Sequence, residues 1–145
     1  MNPGSRAGQH VELDPASGLV RARTQLGDFE LTVCTDGTYK LDGGAMFGVV
    51  PKPLWEKRAA ADDQNRILLG LNTVVVRTGK QTVLIETGIG NKQPAKMREI
   101  HCNQELLPQS LAAAGIRPAE VDVVINTHRT SIIAAGTQHS IRTVR

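Results

Sequence analysis

The residues closest to a chemical signature lie late in the chain. Val121-Asp122-Val123-Val124-Ile125 is an apolar run that leads directly into Asn126-Thr127-His128. A buried strand ending in a histidine is a usual way for an α/β protein to bring a metal ligand to the active edge of its sheet. One imidazole does not hold zinc usefully, because a stable site needs several N, S or O donors aimed at one point. Further donors should therefore follow within a few residues. Arg129-Thr130-Ser131-Ile132-Ile133-Ala134-Ala135-Gly136 supplies none. Judged by its own chemistry, His128 is a strand-end histidine. His101 and His10 likewise have no partner residues at ligand spacing.

Two glycine-rich stretches are the other candidates. Asp42-Gly43-Gly44-Ala45-Met46-Phe47-Gly48 reads as a loop. It is either a surface loop with a hydrophobic anchor or a wall of a substrate pocket, in which case Gly43, Gly44, Met46 and Phe47 are the substrate-facing residues. Glu86-Thr87-Gly88-Ile89-Gly90-Asn91 closes an apolar strand, and its glycines permit the positive φ of a tight exit. A phosphate-binding role for these turns fails on detail. Gly79-Lys80 is followed by Gln81, not by the hydroxyl residue that a P-loop places on its metal ion.

The elements that must position these residues follow from periodicity. Residues 1–27 are expected to be a flexible tail, the first eighteen being polar and rich in Gly, Pro and Ser. Phe29, Leu31 and Val33 alternate with polar residues, the period of a half-buried strand. Asp36-Gly37 is a hairpin signal, after which Thr38-Tyr39-Lys40-Leu41 restarts an extended segment. Residues 56–66 form a short helix or an ordered loop. Residues 67–76 and 82–85, joined by Thr78-Gly79-Lys80-Gln81, form a central hairpin whose continuous apolar character implies burial on both faces. Residues 94–100 and 104–114 are helical, with Pro108 in a first turn and Gly115 just past the end. The order strand, strand, helix, helix, strand describes an α/β sandwich.

Bulk properties remove several classes. A chain of 145 residues forms one domain with a real core, built here from aliphatic residues because aromatics are 3%. The net charge of +3 is scattered among acidic residues, without the basic face and stacking aromatics that nucleic acids require. No apolar run is long enough to cross a bilayer, and Met1-Asn2-Pro3-Gly4-Ser5-Arg6 lacks a signal-peptide core. Cys34 and Cys102 are far apart and read as free thiols of a reducing compartment, so a cytoplasmic protein is expected.

Three motifs taken together carry a family resemblance. Asp42-Gly43-Gly44-Ala45-Met46-Phe47-Gly48, Leu84-Ile85-Glu86-Thr87-Gly88-Ile89-Gly90 and Asp122-Val123-Val124-Ile125-Asn126-Thr127-His128 occur in this order in metallo-β-lactamase-fold hydrolases, and the set is most similar to their lactonase-like branch. Glu86 stands where the family more often has Asp. The resemblance implies the N-terminal half of an αββα sandwich, a mixed sheet with flanking helices, over residues 28–128, with the C-terminal half missing. It also implies a small-molecule lactone, ester or related carbonyl substrate and two zinc ions, whose bound water attacks the carbonyl. The family places His-x-His-x-Asp-His after this strand. The first histidine is matched by His128, but the other three ligands fall on Thr130, Ile132 and Ile133.

A reading-frame change accounts for the loss. With third bases chosen freely, CGC ACT TCG ATC ATT GCG GCG GGA AC encodes the residues from Arg129 to the start of Thr137. Restoring one T after the first C gives CTG CAC TTC GAT CAT TGC GGC GGG AAC. That frame reads Leu-His-Phe-Asp-His-Cys-Gly-Gly-Asn, the family motif. A one-nucleotide deletion is therefore expected after His128, which makes residues 129–145, His139 included, an out-of-frame tail. The expected product does not bind zinc stoichiometrically, is inactive, and self-associates through exposed apolar surface. The alternative is a non-enzymatic fragment or a module completed by a partner chain.

Overall fold

The computed structural model describes residues 18–127 and 142–143. Six strands form one mixed sheet in the order β1-β2-β3-β4-β5-β6: Val20–Leu26, Phe29–Asp42, Arg66–Arg77, Thr82–Ile85, Val123–Ile125 and Arg142–Thr143. The first four strands pair antiparallel, and β4–β5 and β5–β6 pair parallel. Between β4 and β5 run two helices, α3 (Ala95–His101) and α4 (Leu107–Ala113). Two shorter helices, α1 (Gly43–Phe47) and α2 (Lys52–Trp55), lie between β2 and β3.

The core follows from strand alternation and one helix. Cys34, Val75, Leu84 and Val124 are buried on one sheet face, where Leu107, Leu111 and Ala114 of α4 cover them. Each fully buried leucine contributes about 1.5–3 kcal/mol relative to exposure. The end of α4 behaves as its sequence predicts. Gly115 takes φ 72°, its N–H bonds Ala112 O at 3.0 Å, and the Ile116 N–H bonds Leu111 O at 2.9 Å. This is a Schellman closure, with Ile116 and Leu111 both buried beneath it. Pro108 sits in the first turn, where a missing donor costs little.

Four expectations are corrected. The tail expected over residues 1–27 contains β1, because Val20 pairs with Cys34 and residues 22–26 continue along β2. Its charged sequence, Arg21 and Arg23 included, is tolerated because β1 is an edge strand with one side open to water. Asp36-Gly37 makes no hairpin. β2 runs straight through to Asp42, with a bulge between Thr35 and Gly37, because β3 is long enough to pair with both halves. Residues 43–47 are helix rather than loop, with the Asp42 carboxylate accepting the Ala45 N–H at 2.8 Å as an N-cap. Finally, β3 is not buried on both faces along its length: Leu68 is 63% exposed.

Candidate functional site

Parallel pairing puts the C-terminal ends of β4 and β5 side by side, the edge at which open α/β sheets bind ligands. The strand exits are cross-tied. The Glu86 N–H bonds Ile125 O at 2.8 Å, adding one rung to the ladder. Glu86 then turns with φ 67°, unusual for a residue with a side chain. Its carboxylate accepts the Thr127 N–H at 2.7 Å and the Thr127 hydroxyl through the same oxygen. The second carboxylate oxygen is buried with no hydrogen-bond partner among the described residues. Thr87 Oγ1 donates to Asn126 Oδ1 at 3.5 Å. The chain is therefore held at Thr127 just beyond β5.

A second carboxylate ties the same loop to the rest of the fold. Asp36 is buried at the β2 bulge. It accepts the Ile89 N–H at 2.8 Å through Oδ2 and the Leu107 N–H at 2.9 Å through Oδ1. One side chain thus joins β2, the exit loop of β4 and the start of α4. Gly88 is required here: a Cβ on it would lie 2.2 Å from Asp36 Oδ2, and its φ is 67°. Sequence reading missed Asp36 because Asp-Gly is the commonest hairpin signal. The longer apolar run on the facing strand, able to pair past any turn, was the available clue.

The glycine-rich candidates lie elsewhere on this side. β2 and β3 overhang the ends of β4 and β5: Arg66 at the tip precedes Val74, the partner of Ile85, by eight residues, roughly 26 Å of strand. α1 and α2 sit at that tip. Gly43 lets the Trp55 ring lie against the backbone, since a Cβ would come within 2.4 Å of it. Phe47 stacks on Trp55 with centroids 5.0 Å apart, while Met46 is exposed. Asn65 Nδ2 donates to Asp42 Oδ2 at 2.9 Å, and Gly44 stands beside that carboxylate. These bonds hold the Asp42 carboxyl below its usual range.

His101 is buried at the end of α3, where Nδ1 meets Lys40 O at 3.1 Å and the ring lies 6.2 Å from that of Tyr39. It belongs to the packing of the overhang. His128, His10 and His139 lie outside the described residues.

The metallo-β-lactamase superfamily model matches residues 67–128, from the overhang of β3 to the clamped exit of β5. This chain carries part of a metallo-β-lactamase fold. A probable metal-dependent hydrolase from Staphylococcus aureus is 34% identical, with a TM-score of 0.72 over 78% of this chain and 42% of that one. The hydrolase AbOPH of the β-lactamase superfamily is 24% identical, with a TM-score of 0.62 over 79% and 38%. AidC, a dizinc quorum-quenching lactonase, is 21% identical, with a TM-score of 0.60 over 79% and 37%. The chain therefore spans less than half the length of each. No curated protein matches it.

The metallo-β-lactamase likeness implies a metal, and the donor set decides whether this chain suits one. Among the described residues no group of three or more His, Cys, Asp or Glu could hold a metal ion. Residues 129–137, where the family motif continues, contain no imidazole, thiol or carboxylate. The donors among the described residues do not form a set that fits the group.

Proposed function

We propose that this chain derives from a metal-dependent hydrolase of lactones, esters or related carbonyl compounds and does not itself catalyse that reaction. The observation that carries the proposal is the abrupt change of character after β5. Glu86 still clamps Thr127 at the place from which a ligand loop would leave, yet the positions due to carry ligands hold Thr130, Ile132 and Ile133. A single lost base in the Arg129 codon explains both facts. The likeness to AidC supports the fold, and the lactone class rests on the motifs. Two unpaired cysteines, one buried and one exposed, favour the cytoplasm, and no described helix is long and apolar enough to cross a membrane.

The test is zinc content and lactone hydrolysis of the purified chain, beside a version with the base restored. We expect less than one zinc per chain and no turnover, with both gained on restoration of the reading frame. Two bound zinc ions and turnover in the unrestored chain would sink the proposal. A gene in which no single-base restoration opens a continuing frame would sink the deletion itself. A second reading is a module completed by another chain, favoured by a sheet face that no described helix covers broadly.

A further inference from the structure

The segment between the β4 exit loop and α4 is tied at both ends to one residue. Asp36 accepts the Ile89 N–H at 2.8 Å through Oδ2 and the Leu107 N–H at 2.9 Å through Oδ1. Its main-chain oxygen accepts the Leu106 N–H at 3.2 Å. Residues 90–106 therefore form a closed loop that leaves the β2 bulge and returns to it, carrying α3. Apolar burial does not hold this loop down. Its only buried residues are Gln93 and His101, both polar, and Ile100 is 40% exposed. A helix of seven residues has no independent stability either. Two polar contacts fasten α3 to the overhang instead. Arg66 Nη1 donates to Ile100 O at 2.8 Å, while Asp62 holds the same guanidinium through Nε at 3.0 Å and Nη2 at 2.9 Å. His101 Nδ1 meets Lys40 O at 3.1 Å. Tyr39, beside the His101 ring, pairs with Leu69, which shares its face of β3 with Val75. The loop thus lies on the same side of the sheet as α4.

We infer that residues 90–106 are a strap that opens and closes as one unit on its Asp36 anchors, released at Arg66 and His101, while the sheet and α4 stay folded. A segment with few buried apolar contacts opens at a lower free energy than the whole domain. Its parts are joined to one another, by the Arg98–Glu105 ion pair at 3.7 Å and by Cys102 Sγ donating to Glu99 O at 3.3 Å. Glu105 takes φ 59°, a left-handed conformation costly for a residue with a side chain, and opening relieves it. Opening uncovers Tyr39 and the adjoining end of β2. Asp36 meanwhile keeps Ile89 in place, so the Glu86–Thr127 clamp at the candidate edge is not disturbed. The strap is a movable cover for the α4 side of the overhang. This inference rests on the hydrogen bonds of the loop and is independent of the hydrolase reading.

The test is native-state amide hydrogen exchange of the whole chain, read residue by residue at rising sub-denaturing urea. The N–H groups of Met97, Arg98 and Cys102 bond Pro94 O, Pro94 O and Arg98 O. These three amides should share one opening constant that urea barely changes, because little surface is exposed. Ser110 and Ala114 of α4 should be about a hundredfold better protected, with protection that falls as urea rises. Arg66→Gln should raise the opening constant of the three strap amides by about tenfold or more and leave Ser110 unchanged. Because that variant also deprives Asp62 of its partner and can loosen the overhang, the pattern in the unaltered chain is the independent measurement. Strap amides as well protected as those of α4 overturn the inference. Graded, unequal protection along α3, the mark of simple fraying, also overturns it. Opening that carries Leu106 and Leu107 along would overturn the Asp36 anchors, and unchanged strap exchange in Arg66→Gln would overturn the latch.

Discussion

Replacing Asp36 by alanine probes the tie between the candidate edge and the core. Its carboxylate accepts two buried backbone N–H groups, from Ile89 and Leu107. Hydrogen bonds to a charged acceptor contribute about 1.5–3 kcal/mol each, so the two together give about 3–6 kcal/mol. Part of that offsets the desolvation of a buried carboxylate, which the alanine variant no longer suffers. A net loss of about 3 kcal/mol is expected, a large share of the roughly 5–15 kcal/mol that holds a domain together. Urea unfolding in dilute solution measures it, with the single tryptophan, Trp55, as the fluorescent probe. Gly88→Ala adds a discriminating step. Its Cβ would strike Asp36 Oδ2, so the substitution should be severe in the natural chain. With Asp36 already truncated the strike on its carboxylate is gone, leaving a 2.7 Å approach to the residue-36 Cβ and a left-handed backbone penalty of about 1–2 kcal/mol. The two effects should therefore be strongly non-additive. A loss below about 1 kcal/mol for Asp36→Ala, or simple additivity in the double variant, would refute the reasoning.

Two further outcomes are expected. Burial pushes the Cys34 thiol up, whereas Cys102 is exposed, so a thiol reagent near pH 8 should modify one cysteine in the native chain and two in denaturant, counted by mass. Asp62 is held well below the usual carboxylate range, first by Arg66 and then by Lys40, so its contribution is full above its ordinary value and lost as pH falls through the lower folded one. The urea midpoint should drop on acidification below about pH 4, and Asp62→Asn should flatten that limb; an unchanged limb would exclude the group.

Much of the local structure is legible from residues near one another in the chain. Gly115 and Pro108 mark the ends of α4 because their backbone limits act wherever they stand. The apolar runs of β3, β4 and β5 announce strands because burial selects them residue by residue. The three motifs, in order, point to the superfamily whose model matches residues 67–128. The ligand pattern that breaks at Thr130 is also a property of sequence alone.

Tertiary structure decides what depends on distant partners. Asp36-Gly37 has the chemistry of a turn, but β3 pairs along both sides of it and converts the turn into a bulge with a buried carboxylate. Residues 20–26 look like tail and become strand because β2 offers them an edge. The apolar run of β3 suggests two covered faces, yet where cover lies depends on α4, which arrives from further along the chain. Glu86, part of a local motif, acquires its role only when β5 lays Thr127 beside it. Short-range preferences are written in single residues, whereas pairing energy is shared between segments, so only the folded chain shows which preferences prevail.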